Sequence, residues 1–365
     1  MKFKDILNHD IVNLENCDQE PIHIPGSIQP HGFLAGFATD TWVIDFASEN
    51  IADFIGLPYD TVLGKAFDQV FGAGNEEALR EYLSRGLSLS STLFSLYVND
   101  NHFLCTVHES NGIYVLEGER NIAEEHSLPE TYEQTRQFLA YMAETSSLKA
   151  LCQSVAEGTR ALTGYDRVMI YRFDEDYNGE VFAEALRDDL EPFLGLHYPH
   201  TDIPVQARQL YMKNLLRLIS DINYIPVPIY TIDNKENKNL DLSLAMLRST
   251  SPIHVQYLQN MGVGATLTIS LIHKDRLWGL IACHHYSAKN LSHAARISAQ
   301  LQGHFITSQI DLRQSNEEYD ITKQTNKALE QLLSLTLSNT PRSYQDIVDH
   351  PQILNIANAT GVCIS

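Results

Sequence analysis

Residues 195–211, GLHYPHTDIPVQARQLY, constrain the fold more than any other stretch of the chain. Pro199 and Pro204 fix φ and remove backbone donors, so neither a helix nor a central strand can run through them. The segment must be a tight turn, crowded with His197, Tyr198 and His200, that opens into a helix. Pro204 suits the first helical position, where a missing N–H costs nothing. Asp202 lies just ahead of it, where N-caps are found. Both readings of Asp202 stay open on the sequence. Its carboxylate either caps the helix or faces a cavity together with its own backbone carbonyl, meeting a cationic or N–H-rich ligand.

The chain has 365 residues, enough for two or three domains with their own cores. With 26 basic against 46 acidic residues its formal charge is −20, which argues against nucleic-acid backbones and anionic membranes as partners. No apolar run approaches the ~20 residues of a membrane span. The N-terminus, MKFKDILNHDIVNLENC, lacks a signal-peptide core, so a cytoplasmic protein is expected. Cys17, Cys105, Cys152, Cys283 and Cys363 are scattered without a CxxC pair, which suggests neither a disulfide framework nor a zinc ribbon. Cys105, Cys152 and Cys283 lie in apolar runs and read as small core residues. Cys17 differs, sitting in a polar segment just ahead of PIHIPGSIQPHG.

Residues 1–33 read as an arm with little regular structure, broken by Pro21, Pro25 and Pro30. Widely spaced Ile22, Ile24 and Ile28 suggest that it is laid against another surface. FLAGFA and WVIDFAS read as strands around a turn at 39–41, followed by short helices in NIADFIG, DTVLGKAFDQVF and NEEALREYLSRG. Further strands are expected at 92–98, 102–108 and 112–117. That order predicts an antiparallel α+β module of PAS type over 34–125, then a linker at 121–131.

A second domain, 131–310, begins with helical patterns at 132–144 and 148–162 and continues into the strands DRVMIYRF and GEVFAEAL. The 195–211 turn, a helix through Ile219, a polar surface loop within 221–250 and a hairpin, GATLTISLIH–KDR–LWGLIACHHY, complete a GAF-like pattern. Between 294 and 337 there is no proline and only Gly303, which predicts one long helix with an apolar stripe of Ile297, Leu301 and Phe305. A new fold is expected to start after Pro341, with too little chain before Ser365 to finish it.

His197, His200 and Asp202 have the residue types of a metal site, but the prolines break the spacing and no further ligand cluster completes a shell. No nucleophile elbow, Walker loop or dinucleotide fingerprint occurs. His254, before a helix end at Gly262 or Gly264, and His284, after LWGLIAC, each read alone as hydrogen-bonded core histidines. With Asp202, Arg217, Arg248, Tyr171, Tyr211 and Tyr257 they could instead line one pocket, cationic at its rim. Such a pocket suits a planar conjugated ligand bearing carboxylates, since arginines pair bidentately with carboxylates and aromatics pack on flat faces.

Cys17 with PIHIPGSIQPHG, YDRVMIYRF, HTDIPVQARQLY, LRSTSPIHVQYLQNMGVG and LWGLIACHH, in that order, resemble a bacteriophytochrome photosensory module. The resemblance spans Cys17 to His285 and implies PAS and GAF domains, a linear tetrapyrrole in the GAF domain and the start of a PHY domain at 338–365. Relatives that carry a cysteine before the histidine of SP-x-H attach the pigment there; here that place is Ile253. Attachment therefore falls to Cys17, the pattern of members that use biliverdin IXα.

By the same resemblance, Asp202 offers its carbonyl to the pyrrole N–H groups, and Ile203 and Pro204 complete the motif at the chromophore. His254 shares a buried water with those nitrogens, and His284 meets the ring D carbonyl. Arg217, Arg248 and Tyr211 bind one propionate; Ser251, Thr266 and Thr268 help hold the other. Met169, Tyr171, Tyr198 and Tyr257 pack around the chromophore, and Ile28 carries the arm through the 221–250 insertion as a chain knot. His200 and Tyr198 stand where relatives usually have alanine and often phenylalanine. The function implied is red/far-red light sensing by isomerisation of the C15=C16 bond, without enzyme activity in this stretch, in a homodimer paired through the long helix. The competing reading is a non-photochemical GAF sensor of haem or a nucleotide.

Overall fold

The computed structural model describes residues 2–8, 19–85, 93–122, 136, 147–233, 239–336 and 353–356. Its strands are β1 (Phe3–Asp5), β2 (Ser27–Ile28), β3 (Gly32–Ala38), β4 (Ile44–Ser48), β5 (Phe94–Val98), β6 (Asn101–Ser110), β7 (Ile113–Arg120), β8 (Arg167–Phe173), β9 (Gly179–Leu186), β10 (His197–Tyr198), β11 (Leu216–Ile219), β12 (Val227–Ile232), β13 (Ala265–His273) and β14 (Arg276–His285). They form two sheets, one ordered β1-β12-β4-β3-β7-β6-β5 with β2 beside β12, the other β10-β9-β8-β14-β13-β11. Among the described residues every strand pairing is antiparallel.

Period-two alternation builds both sheets. In β5, Phe94, Leu96 and Val98 point inward while Ser95 and Tyr97 point out. The hairpin turns Asn99–Asp100, Asn111–Gly112 and Lys274–Asp275 all carry positive φ at both positions. That conformation matches the twist of the flanking strands and favours Asn, Asp and Gly. One face of the first sheet closes over an aromatic core of Phe33, Phe37, Phe67 and Phe103, with the helix α1 (Ala73–Ser84) and shorter helices around it. The stretch DTVLGKAFDQVF is two helices, Tyr59–Val62 and Phe67–Phe71, because Leu63 turns extended at the end of the first and Gly64 at φ +81° completes the turn out of it.

The second sheet packs one face against α2 (Leu148–Thr163) and the long helix. Ser147 caps α2 by accepting from the Ala150 N–H, and Gly164 in the left-handed region ends it. The other face carries α3 (Val205–Lys213) and α4 (Pro252–Asn260). The long helix is α5 (His293–Thr336), and no described helix is long and apolar enough to cross a membrane.

The arm has little regular structure of its own, only β1 and β2, and both lie against β12 as an arm laid on another surface would. Within 221–250, β12 joins the first sheet and Leu240, Leu242 and Leu247 are buried against its outer face, while most of the polar stretch DNKENKNLD expected as a surface loop, residues 234–238, lies outside the described residues. Ile28 lies between Val227 in β12 and Arg248, with which it forms a bridge. The helix after Pro204 stops at Lys213, and β11 follows as the edge strand beside β13.

The apolar stripe expected on α5 is split, with Phe305 packed against the core and the other two members outward. Ile297 and Leu301 are about 40% exposed, at 39% and 41%. The buried face is instead Arg296, Ala299, Gln302, Ile306 and Ile310. Polar members of that face are paired, Gln302 accepting from the Thr159 hydroxyl at 2.6 Å, so hydropathy alone points the wrong way. The helix expected at 132–144, apart from the helical Arg136, lies outside the described residues. So do the expected fold after Pro341, apart from the short helix Ile353–Ile356, and both Cys17 and Cys363.

Candidate functional site: a cavity on the second sheet

Strand register assembles the floor of a cavity of about 520 Å³. Thr266 lies between Ile219 and His284, and Thr268 between Arg217 and Ala282. Ala282 in turn faces Met169, and Leu280 faces Tyr171. All of these line the cavity, while the intervening Leu267, Ile269, Ile281 and Cys283 fill the core beneath α2 and α5. The Tyr171 ring lies across β9 where residue 179 has no side chain. A Cβ on Gly179 would come within 1.8 Å of that ring. Tyr198 packs on Tyr171 at 6.1 Å between centroids, and Tyr257 stacks with His254 at 6.2 Å.

The roof comes from the turn before α3, from α3 and from α4. His200–Asp202 is a 3-10 turn, and Pro204 occupies the N-cap of α3 with no side-chain capping bond. Asp202 therefore does not cap the helix; its carboxyl group lines the cavity with Ile203 and Pro204, and burial raises its pKa. Arg208 holds the turn by donating to the carbonyls of His200 at 3.1 Å and Ile203 at 2.5 Å. His197 lines a separate surface cleft with Arg172 and Arg276. Among the described residues no three His, Cys, Asp or Glu side chains are grouped to hold a metal.

Arg217 and Arg248 form the cationic rim, with Tyr211 bonded to Thr268 beside them. Burial, then the like charge of Arg217, lowers the Arg248 pKa to about 9. Arg248 Nη1 donates to the Ile22 carbonyl at 2.7 Å, but its buried Nε has no partner. Arg217 donates to the carbonyls of Met246 and Arg248 and to the Thr250 hydroxyl at 3.2 Å. Ser251 leaves α4 uncapped and donates instead to Glu20 Oε2 at 2.5 Å. The arm thus sends a carboxylate into the cavity, and burial raises its pKa.

Both cavity histidines are held below the ordinary imidazole range. Burial, then Arg217 and Arg248, brings His254 down to about 4. Burial, then Arg167 and His254, does the same to His284. A neutral imidazole has one donor and one acceptor nitrogen, and the buried Nδ1 of His284 has no partner. Arg167, opposite His284 in the sheet, pairs with Glu184 and lies 3.8 Å over the Phe193 ring, fixing another wall of the cavity. Two orphaned buried polar atoms in a largely apolar hollow fit a ligand that is flat, apolar and carries acceptors or carboxylates at its edges.

A PAS fold model matches residues 17–121 and a GAF domain model matches 147–304. The chain is 36% identical over 371 residues to cyanobacterial phytochrome B of Nostoc, covering 100% of this chain and 49% of that protein. It is 40% identical over 294 residues to a bacteriophytochrome of Pseudomonas aeruginosa, covering 80% of this chain and 40% of that protein. The solved chromophore binding domain of a Stigmatella aurantiaca phytochrome aligns with a TM-score of 0.75 at 37% identity, over 80% of this chain and 98% of that one. The chain belongs to the bacteriophytochrome family. It spans less than half the length of the two curated relatives named.

In this bacteriophytochrome module, every predicted chromophore residue except Cys17, which is outside the described residues, lines the one cavity. Sequence reasoning missed Leu280 and Ala282, although period-two spacing from His284 on β14 would have found them. It also missed Glu20, Ile22 and Phe193. Glu20 reaches Ser251 across 231 positions of sequence, and no local pattern marks such a contact.

Proposed function

We propose that this chain is the bilin-binding, light-sensing part of a red/far-red photoreceptor, with biliverdin IXα as the pigment and the Cys17 sulfur as its attachment point. The observation that supports this most is the convergence of the predicted residues on one cavity with partnerless Arg248 Nε and His284 Nδ1. When bound, a bilin supplies absorption of red light and isomerisation about its C15=C16 bond.

The chain's own groups do the rest. Asp202 and neutral His254 present acceptors to N–H groups without burying a bare opposite charge. His284 offers a nitrogen to a carbonyl. Arg248, with Arg217 behind it, takes a carboxylate, and Thr266, Thr268 and Ser251 serve a second; Glu20 must then share or release Ser251. Met169, Tyr171, Tyr198 and Tyr257 exclude water and pack on the ligand's faces. Cys17 adds its S–H across a vinyl group, so the thioether forms without a leaving group. Glu15, Asp18 and Glu20 nearby disfavour a thiolate, so placement by the arm drives the coupling. Passage of the arm through the 221–250 insertion as a knot, a homodimer paired through exposed Ile297, Leu301 and Leu312 of α5, and a cytoplasmic location belong to the same proposal.

Mixing purified protein with biliverdin tests it. A red-absorbing band that survives denaturation is expected, and Cys17→Ala should keep the colour but lose the covalent tie. Protein that stays colourless overturns the pigment, and an intact adduct in Cys17→Ala overturns the attachment site.

A further inference from the structure

Alternate residues of β7, Ile113, Val115, Glu117 and Glu119, turn away from the PAS core, where Leu116 points, and pack against the insertion and the long helix. Glu117 is only 2% exposed. Its Oε1 accepts the Leu247 N–H at 2.7 Å, and its Oε2 accepts the Met246 N–H at 3.0 Å and the Thr106 hydroxyl at 3.2 Å. Among the described residues no cation forms an ion pair with it. Burial raises its pKa to about 7 against these hydrogen bonds.

The peptides it holds lead directly into Arg248. Their other edge is held from the GAF side and the arm: Arg217 Nη1 donates to the Met246 carbonyl at 3.3 Å, and the Gln29 N–H to the Leu247 carbonyl at 2.7 Å. Glu117 on the N–H edge and Arg217 on the C=O edge thus set where the Arg248 backbone emerges into the cavity. We propose that Glu117, supplied by the PAS sheet, is the positioning residue for the Arg217–Arg248 carboxylate subsite of the GAF cavity. This rests on the reading that the cavity takes a bilin, and it gives the PAS domain a part in selecting ligands by their carboxylates.

The test compares biliverdin with its dimethyl ester, which lacks free carboxylates, binding reversibly to the full chain in a Cys17→Ala background. Glu117→Gln retains the shape but turns one acceptor into a donor facing an N–H. It should weaken biliverdin roughly tenfold, the effect of one misplaced charge-assisted hydrogen bond, and the ester less than about twofold. Thr106→Val, which removes one donor and no charge, should shift the ratio the same way by about twofold, and it serves where Glu117→Gln does not fold. Equal weakening of both pigments, or no change in either, overturns the role of Glu117. Failure of the parent chain to bind either pigment overturns the bilin reading itself.

Discussion

Arg296 Nη1 and Nη2 meet the two carboxylate oxygens of Glu119 at 3.0 and 2.7 Å, with both side chains buried, so the first turns of α5 are clamped to the last PAS strand. His293 and His31 flank the same carboxylate at 3.4 and 3.7 Å. Burial works to raise the Glu119 pKa, but the Arg296 charge and hydrogen bonds overcome it and bring it down to about 2.

Glu119→Gln should therefore destabilise the protein by about 3–5 kcal/mol, because it leaves the Arg296 charge buried without its counterion. Glu119→Gln combined with Arg296→Met should recover much of that loss. Denaturant titration of the single and double variants measures it; a single-variant loss below about 1 kcal/mol would mean that water reaches the clamp.

Acid should weaken the fold before Glu119 itself titrates. His108, His284 and His293 are each held near 4, burial being the largest cause. A lowered histidine stabilises the fold above its unfolded pKa of about 6.5, and that contribution is lost as pH falls toward 4. Glu117, raised to about 7, acts in the opposite sense, since its burial is least unfavourable when it is protonated. Three histidines outweigh one glutamate, so the guanidinium midpoint should be lower at pH 5 than at pH 7. An unchanged or higher midpoint at pH 5 contradicts this.

Gly179→Ala should displace the Tyr171 ring, costing about 1–3 kcal/mol as an overpacked site does. Because the three atoms nearest that Cβ all belong to Tyr171, Tyr171→Ala should absorb most of the added cost in the double variant. Thermal melts of the cycle decide it, and strict additivity would show that the ring does not lie across β9.

If the pigment is tied to Cys17 as proposed, Glu20→Ala should slow attachment while leaving the final colour intact. The bond from Ser251 to Glu20 pins the arm three residues from the sulfur, and positioned groups gain effective concentrations of 10⁵ M or more, to order of magnitude. Timed denaturing gels after biliverdin addition follow the coupling. A rate equal to the parent's would show that other arm contacts place the thiol.

Much of this protein was determined within short windows of its sequence. Alternation at Phe94, Leu96 and Val98, Asn111–Gly112 between two strands and the proline-free run into α5 each encode structure through backbone preference, which acts over a few residues. The resemblance carried by the motifs around Asp202, His254 and His284 likewise marked the cavity's residues. Tertiary structure alone decided that Asp202 leaves the helix uncapped, that β12 crosses into the PAS sheet, and that Ile297 and Leu301 face outward. It also brought Glu20 to Ser251, Glu117 to Leu247 and Glu119 to Arg296. Those contacts join positions more than a hundred residues apart, and a buried carboxylate is tolerable only where the fold delivers its donors. A local pattern records what a side chain prefers, whereas its partner is chosen by the packing of the whole chain.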